Sequence, residues 1–215
     1  MSVRAVIWDF GGVFTTSPFE RFATYEASRN IPVGFIRSVN ATNPNDNAWA
    51  KFERSEVDLD AFDGLFLTES TALGHPIPGK DVIALLSGSI RPQMVRALDM
   101  IRADRICACI TNNVRAGRGP GIAKDAGTAA EIETVMARFQ FVIESSVVGL
   151  RKPDPRIYQL ACEKLGVQPS EAVYLDDLGI NLKPAKALGM QTIKVTGAEQ
   201  ALTELGAILG MDLLG

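Results

Sequence analysis

The sequence has a single histidine, His75, among 215 residues. Ser-His-Asp and Cys-His mechanisms need an imidazole held against the nucleophile, so this scarcity leaves them little support. His75 itself sits in a Gly-His-Pro segment and reads as a loop residue. Cysteine is also sparse. Cys107, Cys109 and Cys162 are odd in number and have no zinc-site spacing. Cys107 and Cys109 lie two apart in an apolar run, which places them on one face of a strand as small buried hydrophobes in a reducing compartment. No run approaches the roughly 18–20 apolar residues of a membrane span. The N-terminus reaches Asp9 before any stretch long enough for a signal peptide. The expectation is a cytoplasmic protein without membrane insertion. Basic residues form no block and the net charge is -3, so nucleic-acid binding driven by phosphate attraction is not expected. There is no internal repeat and no low-complexity tract. The glycine-rich stretch 115–122 lacks the Gly-Lys-Ser/Thr of a P-loop and the glycine spacing of a dinucleotide fingerprint; it reads as a mobile loop.

What is present is the composition of a globular chain, 47% hydrophobic and 22% charged. Its length suits one large domain, or one domain with a smaller insert. Apolar runs at 3–8, 105–110, 139–143, 172–175 and 191–195 read as buried strands. Helical patterns at 93–102, 154–165 and 181–188 alternate with them, the last two closed by Gly166 and Gly189. Such alternation argues for an α/β fold, a parallel sheet with helices on both faces. Residues 16–91 break the pattern. Helical periodicity recurs there at 18–29, 32–39, 47–54, 59–73 and 80–86 with no clear strand, as in a helical insert after the first strand.

Four chemically suggestive sites fall at or near predicted strand ends or in the loops after them, where ligands bind in open parallel sheets. In Asp9-Phe-Gly-Gly-Val13 a carboxylate ends a strand and can act as a covalent nucleophile; alone, it could equally cap a turn. Thr111-Asn112-Asn113 offers a hydroxyl, amides and backbone N–H groups suited to phosphoryl oxygens, or simply a helix cap. Prolines flank Asp154 in Lys152-Pro153-Asp154-Pro155, which restrains the backbone of Lys152. A lysine beside Asp9 would keep it ionised and offset charge on a transferring group; the plain alternative is a solvated surface lysine. The adjacent carboxylates of Asp176 and Asp177 repel unless a cation or proton intervenes, and with Asp9 they suit Mg2+. Otherwise they form a solvated acidic turn. Four such accidents at corresponding strand ends make a poor explanation. Phosphoryl transfer needs a nucleophile, a cation, neutralising donors and a metal, and one candidate for each is present.

Taken in order, Asp9-x-Gly-Gly-Val, Thr111-Asn-Asn, Lys152-Pro-Asp-Pro and Leu175-Asp-Asp-x-Gly-x-Asn181 resemble the four motifs of the haloacid dehalogenase superfamily. The helical insert resembles its cap of the first type (subfamily I). The chain is most similar in look to the N-terminal phosphatase domain of soluble epoxide hydrolases, on Phe141-Val-Ile-Glu-Ser-Ser146, Gly149-Leu-Arg-Lys-Pro-Asp-Pro-Arg-Ile-Tyr158, residues 169–185 and Leu188-Gly-Met190. No epoxide hydrolase domain is expected, since the sequence ends at Gly215. The resemblance implies a Rossmann-like core of residues 1–15 and 92–215, a helical cap of residues 16–91, and Mg2+. It implies Asp9 as nucleophile and metal ligand, the Gly11 carbonyl and Asp177 as further ligands with Asp176 close by, Thr111 and Asn112 at the phosphoryl group, and Lys152 paired with Asp9.

One departure bears on catalysis. Family phosphatases carry a second Asp two positions after the nucleophile, as acid and then base; here Gly11 stands there. Loss of an acid/base group costs about 10^2–10^4 in rate. The expectation is a Mg2+-dependent phosphatase acting through an aspartyl-phosphate on Asp9. The alternatives are a metal-independent 2-haloacid dehalogenase and a phospho-ligand binding or regulatory protein with little turnover. The partner is then a small phosphorylated, or halogenated, substrate, and the chain a monomer or homodimer. Trp49, Phe52 and Phe62 are expected to form the cap's own core, and Arg21, Arg37 and Arg54 to lie on solvated helix faces.

Overall fold

The computed structural model describes residues 2–113 and 126–214, and the structural statements below concern these; the loop expected at 115–122 lies outside them. β1 (Ala5–Trp8) is followed by α1 (Phe19–Ser28), α2 (Phe35–Ala41), α3 (Ala48–Glu53), α4 (Leu59–Ala72) and α5 (Gly79–Ala84). The chain then runs through α6 (Pro92–Ile101), β2 (Ile106–Thr111), α7 (Ala126–Met136), β3 (Phe141–Glu144) and α8 (Ser145–Val148). It ends with α9 (Pro155–Leu165), β4 (Ala172–Asp176), α10 (Gly179–Ala187), β5 (Gln191–Lys194) and α11 (Ala198–Leu209). The five strands lie in the order β3-β2-β1-β4-β5, every neighbouring pair parallel.

Alternating strand side chains supply both faces of the sheet. Val6, Trp8, Cys107, Cys109, Val173 and Leu175 pack with Met94, Leu98 and Ile101 of α6 and Leu202 and Leu205 of α11. Ala5, Ile7, Ala108, Ile110 and Tyr174 pack on the other face with Ile157, Tyr158 and Ala161 of α9 and Ala185 of α10. Cys107 and Cys109 do share a face, and all three thiols are buried and free. Burial pushes the Cys107 thiol up to about 12, which leaves it inert.

The five helices between β1 and α6 close around a third cluster, in which Phe22, Ile36, Val39, Phe52, Phe62, Phe66 and Val82 are buried. Phe52 stacks on Phe62 with ring centroids 4.5 Å apart. Trp49 packs edge-on against Phe62 at 5.7 Å, and His75, in the loop after α4, against Phe35 at 5.0 Å. The side chains of Asn47 and Asp58 cap α3 and α4 by accepting from Ala50 N and Ala61 N. The two ends of this insertion meet in a short antiparallel bridge, Thr15 to Ile90, braced by Arg91 N donating to Phe14 O at 2.7 Å. Three helices were not read from the sequence: α7, α8 and α11. β3 begins at Phe141, and Gln140 before it pairs with Cys107, donating its N–H to Cys107 O at 2.9 Å and accepting through its side chain from Cys107 N at 2.7 Å.

Candidate active site

The strand order brings the carboxyl ends of β1, β2 and β4 side by side, and the candidate residues of the sequence gather there. Asp9 follows β1 and is buried; its N–H donates to Leu175 O at 2.8 Å, extending the ladder by one residue. The chain then turns sharply, with Val13 and Phe14 N–H both donating to Phe10 O. Gly12 in this turn has φ +71°, and a Cβ there would lie 2.3 Å from Asp177 Oδ2. The turn after β1 and the acidic turn after β4 are thus in direct contact, which only glycine permits.

Lys152 is 1% exposed, not a solvated lysine. Its Nζ lies 2.7 Å from Asp9 Oδ1 and 2.9 Å from Asp176 Oδ2. Burial opposes its charge, but Asp176 and Asp9 outweigh that and hold it protonated. Its backbone is clamped by one side chain: Lys152 N donates to Asn112 Oδ1 at 2.8 Å, and Asn112 Nδ2 donates to Lys152 O at 3.0 Å. Thr111, the last residue of β2, is buried and lines the cavity above Asp9.

The two adjacent carboxylates differ in surroundings. Asp176 is fully buried. It accepts from Leu178 N at 2.7 Å, from Asn181 Nδ2 at 3.0 Å and from the Tyr174 hydroxyl, besides pairing with Lys152. Asp177 faces the cavity. Burial and the charge of Asp176 push its carboxyl up to about 6. Burial also raises Asp9 well above the ordinary carboxylate range; Lys152 opposes this, and Asp176 and Asp177 add to it. Oxygens of Asp9, Asp176 and Asp177 all lie within 4.8 Å of one another. Three carboxylates against one buried ammonium leave an excess of negative charge, and hard oxygen donors in that number suit Mg2+.

Over this floor opens a cavity of about 640 Å3. Its walls are largely apolar, with Phe10, Phe19, Phe22, Trp49, Leu86, Ile132, Leu178 and Ile180 among them. Arg37 does more than face solvent: it lines this cavity, its guanidinium 4.4 Å from the centre of the Phe19 ring. Arg21 donates to Ser87 O at 2.6 Å and Arg54 pairs with Glu56, so neither is simply solvated. Two charged residues at the cavity were not singled out in the sequence. Glu53, the buried last residue of α3, lies 2.6 Å from Arg151 Nε, with Asn112 Nδ2 donating to it at 3.4 Å. Burial pushes its carboxyl up while Arg151 pulls it down.

The model of the haloacid dehalogenase-like hydrolases matches residues 3–189. The chain belongs to that family. Among curated relatives, mouse acyl-CoA dehydrogenase family member 10 is 35% identical over 99% of this chain and 20% of its own length. Pig bifunctional epoxide hydrolase 2 is 29% identical over the whole chain and 40% of its own length. This chain therefore spans well under half of these two relatives. A sesquiterpene phosphatase of Aspergillus oryzae is 24% identical over 96% of this chain and 97% of its own. Among solved structures, a haloacid dehalogenase family enzyme of Bacteroides thetaiotaomicron, in complex with magnesium and inorganic phosphate, superimposes with a TM-score of 0.61 at 18% identity. That match covers 95% of this chain and 99% of the other, a likeness of fold. In this chain Asp9, Lys152, Asp176 and Asp177 lie together in one cluster at the strand ends.

Proposed function

We propose that this family member is a Mg2+-dependent phosphatase working through an aspartyl-phosphate on Asp9, with residues 16–91 as its cap. The observation that carries the reading is the Asp9 carboxylate on the cavity floor, 2.7 Å from Lys152 Nζ and close to Asp177. Asp9 attacks phosphorus, the ester bond to the leaving oxygen breaks, and water later cleaves the aspartyl-phosphate to return the carboxylate and free phosphate. Lys152 favours the charged form of Asp9 against burial and the neighbouring carboxylates, and would offset charge on the phosphoryl oxygens. Thr111, buried at the end of β2 and lining the cavity beside Asp9, would offer its hydroxyl to those oxygens. Asn112 fixes the backbone of Lys152, and Asp176 fixes its ammonium. Asp9, the Gly11 carbonyl and Asp177, with Asp176 behind them, would hold Mg2+, which supplies charge neutralisation and alignment of the phosphoryl group.

No carboxyl stands at Gly11, so the leaving group takes its proton from solvent, or leaves as a stabilised anion. The apolar walls support a phosphate ester with an apolar body over a sugar phosphate, whose hydroxyls would find few partners there. The deciding experiment measures phosphate release from prenyl, alkyl, aryl, acyl and sugar phosphates, with Mg2+ and with chelator, for the wild type and Asp9→Asn. Release that requires Mg2+ and disappears in the variant is expected, with apolar esters leading. Release from Asp9→Asn at the wild-type rate would refute the covalent mechanism. Halide release from a 2-halo acid in chelator would favour a dehalogenase instead.

A further inference from the structure

Among the described residues, two glutamates of the helical insertion, Glu26 and Glu53, are buried, and they do different things. Glu26 serves the insertion itself, accepting from Gly34 N at 2.7 Å and Ile36 N at 2.9 Å. Glu53 leaves the insertion and enters the strand-end loops. Its carboxylate pairs with Arg151, the residue before Lys152, at 2.6 Å, and Asn112 Nδ2 donates to it at 3.4 Å. Asn112 is the side chain that clamps the Lys152 backbone from both sides. Arg151 is held in turn by donating through Nη1 to Pro44 O of the insertion at 2.7 Å. An unbroken line of contacts therefore runs from the end of α3, through Asn112 and Arg151, to the lysine that holds Asp9.

We propose that Glu53 is a positioning residue for Lys152, through which the helical insertion sets the geometry of the nucleophile. This rests on the phosphatase reading of Asp9 and Lys152. A carboxylate is needed at this point because it answers both the Arg151 charge and the Asn112 amide, and so fixes the two residues that frame Lys152. Docking of the insertion does not depend on that carboxylate alone. Ser145 Oγ donates to Glu53 O at 2.8 Å, and Ser55 Oγ donates to Ser146 O at 3.2 Å. Removing the charge should therefore loosen Lys152 without detaching the insertion.

The test uses the full chain as wild type, Glu53→Gln, Asn112→Ala, the Glu53→Gln/Asn112→Ala double variant and the surface control Glu56→Gln. Two quantities are read: steady-state hydrolysis of p-nitrophenyl phosphate with Mg2+, and amide hydrogen exchange at Lys152, whose N–H is bonded to Asn112. Misplacement of a reacting group by about 1 Å is worth up to about 100-fold, so Glu53→Gln should lower kcat roughly 10–100-fold with KM within about twofold. Lys152 should exchange faster in Glu53→Gln. The double variant should lose less than the two single losses combined, because both changes break the Glu53–Asn112 contact. Glu56→Gln should match the wild type. Unchanged kcat and exchange in Glu53→Gln would overturn the proposal, as would fully additive losses in the double variant. If the wild type itself releases no phosphate, the phosphatase reading fails, while Lys152 exchange still decides whether Glu53 governs that loop. Should Glu53→Gln not fold, Glu53→Asp, which keeps the charge but withdraws it by one methylene, reads the same two quantities.

Discussion

Adjacent residues of one type carry opposite expectations at this site. A Cβ on Gly11 would meet nothing within 4 Å, whereas one on Gly12 would strike the Asp177 carboxylate. Gly11→Asp should be accepted and place a carboxyl at the mouth of the site. If the missing acid is the only defect, phosphate release should rise, by up to about 100-fold for esters with poor leaving groups. The measurement is kcat across leaving groups of increasing pKa; no gain would mean that the surroundings have adapted to glycine. Gly12→Ala should do the reverse. Its positive φ and the collision with Asp177 should cost roughly 1–3 kcal/mol, read by urea denaturation, and should weaken the response to Mg2+. In the sequence the two glycines are one turn signal. Likewise Asp176 and Asp177 are one acidic pair, and only the three-dimensional partners show that the first is enclosed by Lys152, Tyr174, Leu178 and Asn181 while the second faces the cavity.

At the scale of elements, the strands were legible because a parallel strand buried on both faces is a nearly continuous apolar run. β1, with all four residues buried, is the clearest case. The helices of the insertion were legible from their periodicity. α7 was not: it opens Ala-Gly-Thr-Ala-Ala and has a weak apolar stripe. α11 carries a stronger one in Ala201, Leu202 and Leu205, but it follows the last strand and borders no motif. Glu53 could not have been found by any local pattern. It is one glutamate at a helix end, and it becomes significant only through Asn112, 59 residues away in the chain. The element that presents it depends on Asn47, whose side chain accepts from Ala50 N and donates to Asn40 O and Thr42 O. Asn47→Ala removes the cap of α3 and its tie to the end of α2. It should destabilise the protein by about 0.5–2 kcal/mol, measured by urea denaturation. Because α3 also carries Trp49 of the cavity wall, KM for apolar esters should rise.

Across the whole molecule, two apolar clusters flank the sheet and a third fills the insertion, and the cavity lies where the insertion meets the strand ends. The fold therefore stabilises an arrangement that its own electrostatics oppose. Asp9, Asp176 and Asp177 are crowded within 4.8 Å, with Lys152 as the buried counter-charge. Such a cluster is destabilising until a cation joins it, which separates a metal-binding cluster from an acidic turn that simply tolerates its charge. In the absence of divalent cations, Asp177→Asn removes one of the repelling charges and keeps the shape. It should make the protein more stable, on the order of 1–3 kcal/mol. Mg2+ binds the folded state in preference to the unfolded one, so the wild type should gain stability as Mg2+ is added, about 2.7 kcal/mol at 100 times its dissociation constant. Asp177→Asn should gain much less, and the two stability curves should cross as Mg2+ rises. Thermal unfolding of both proteins over a Mg2+ titration gives the answer without any substrate. Parallel curves would mean that Asp177 takes no part in holding the ion, whereas a crossing would show that the same carboxylate weakens the empty fold and binds the metal.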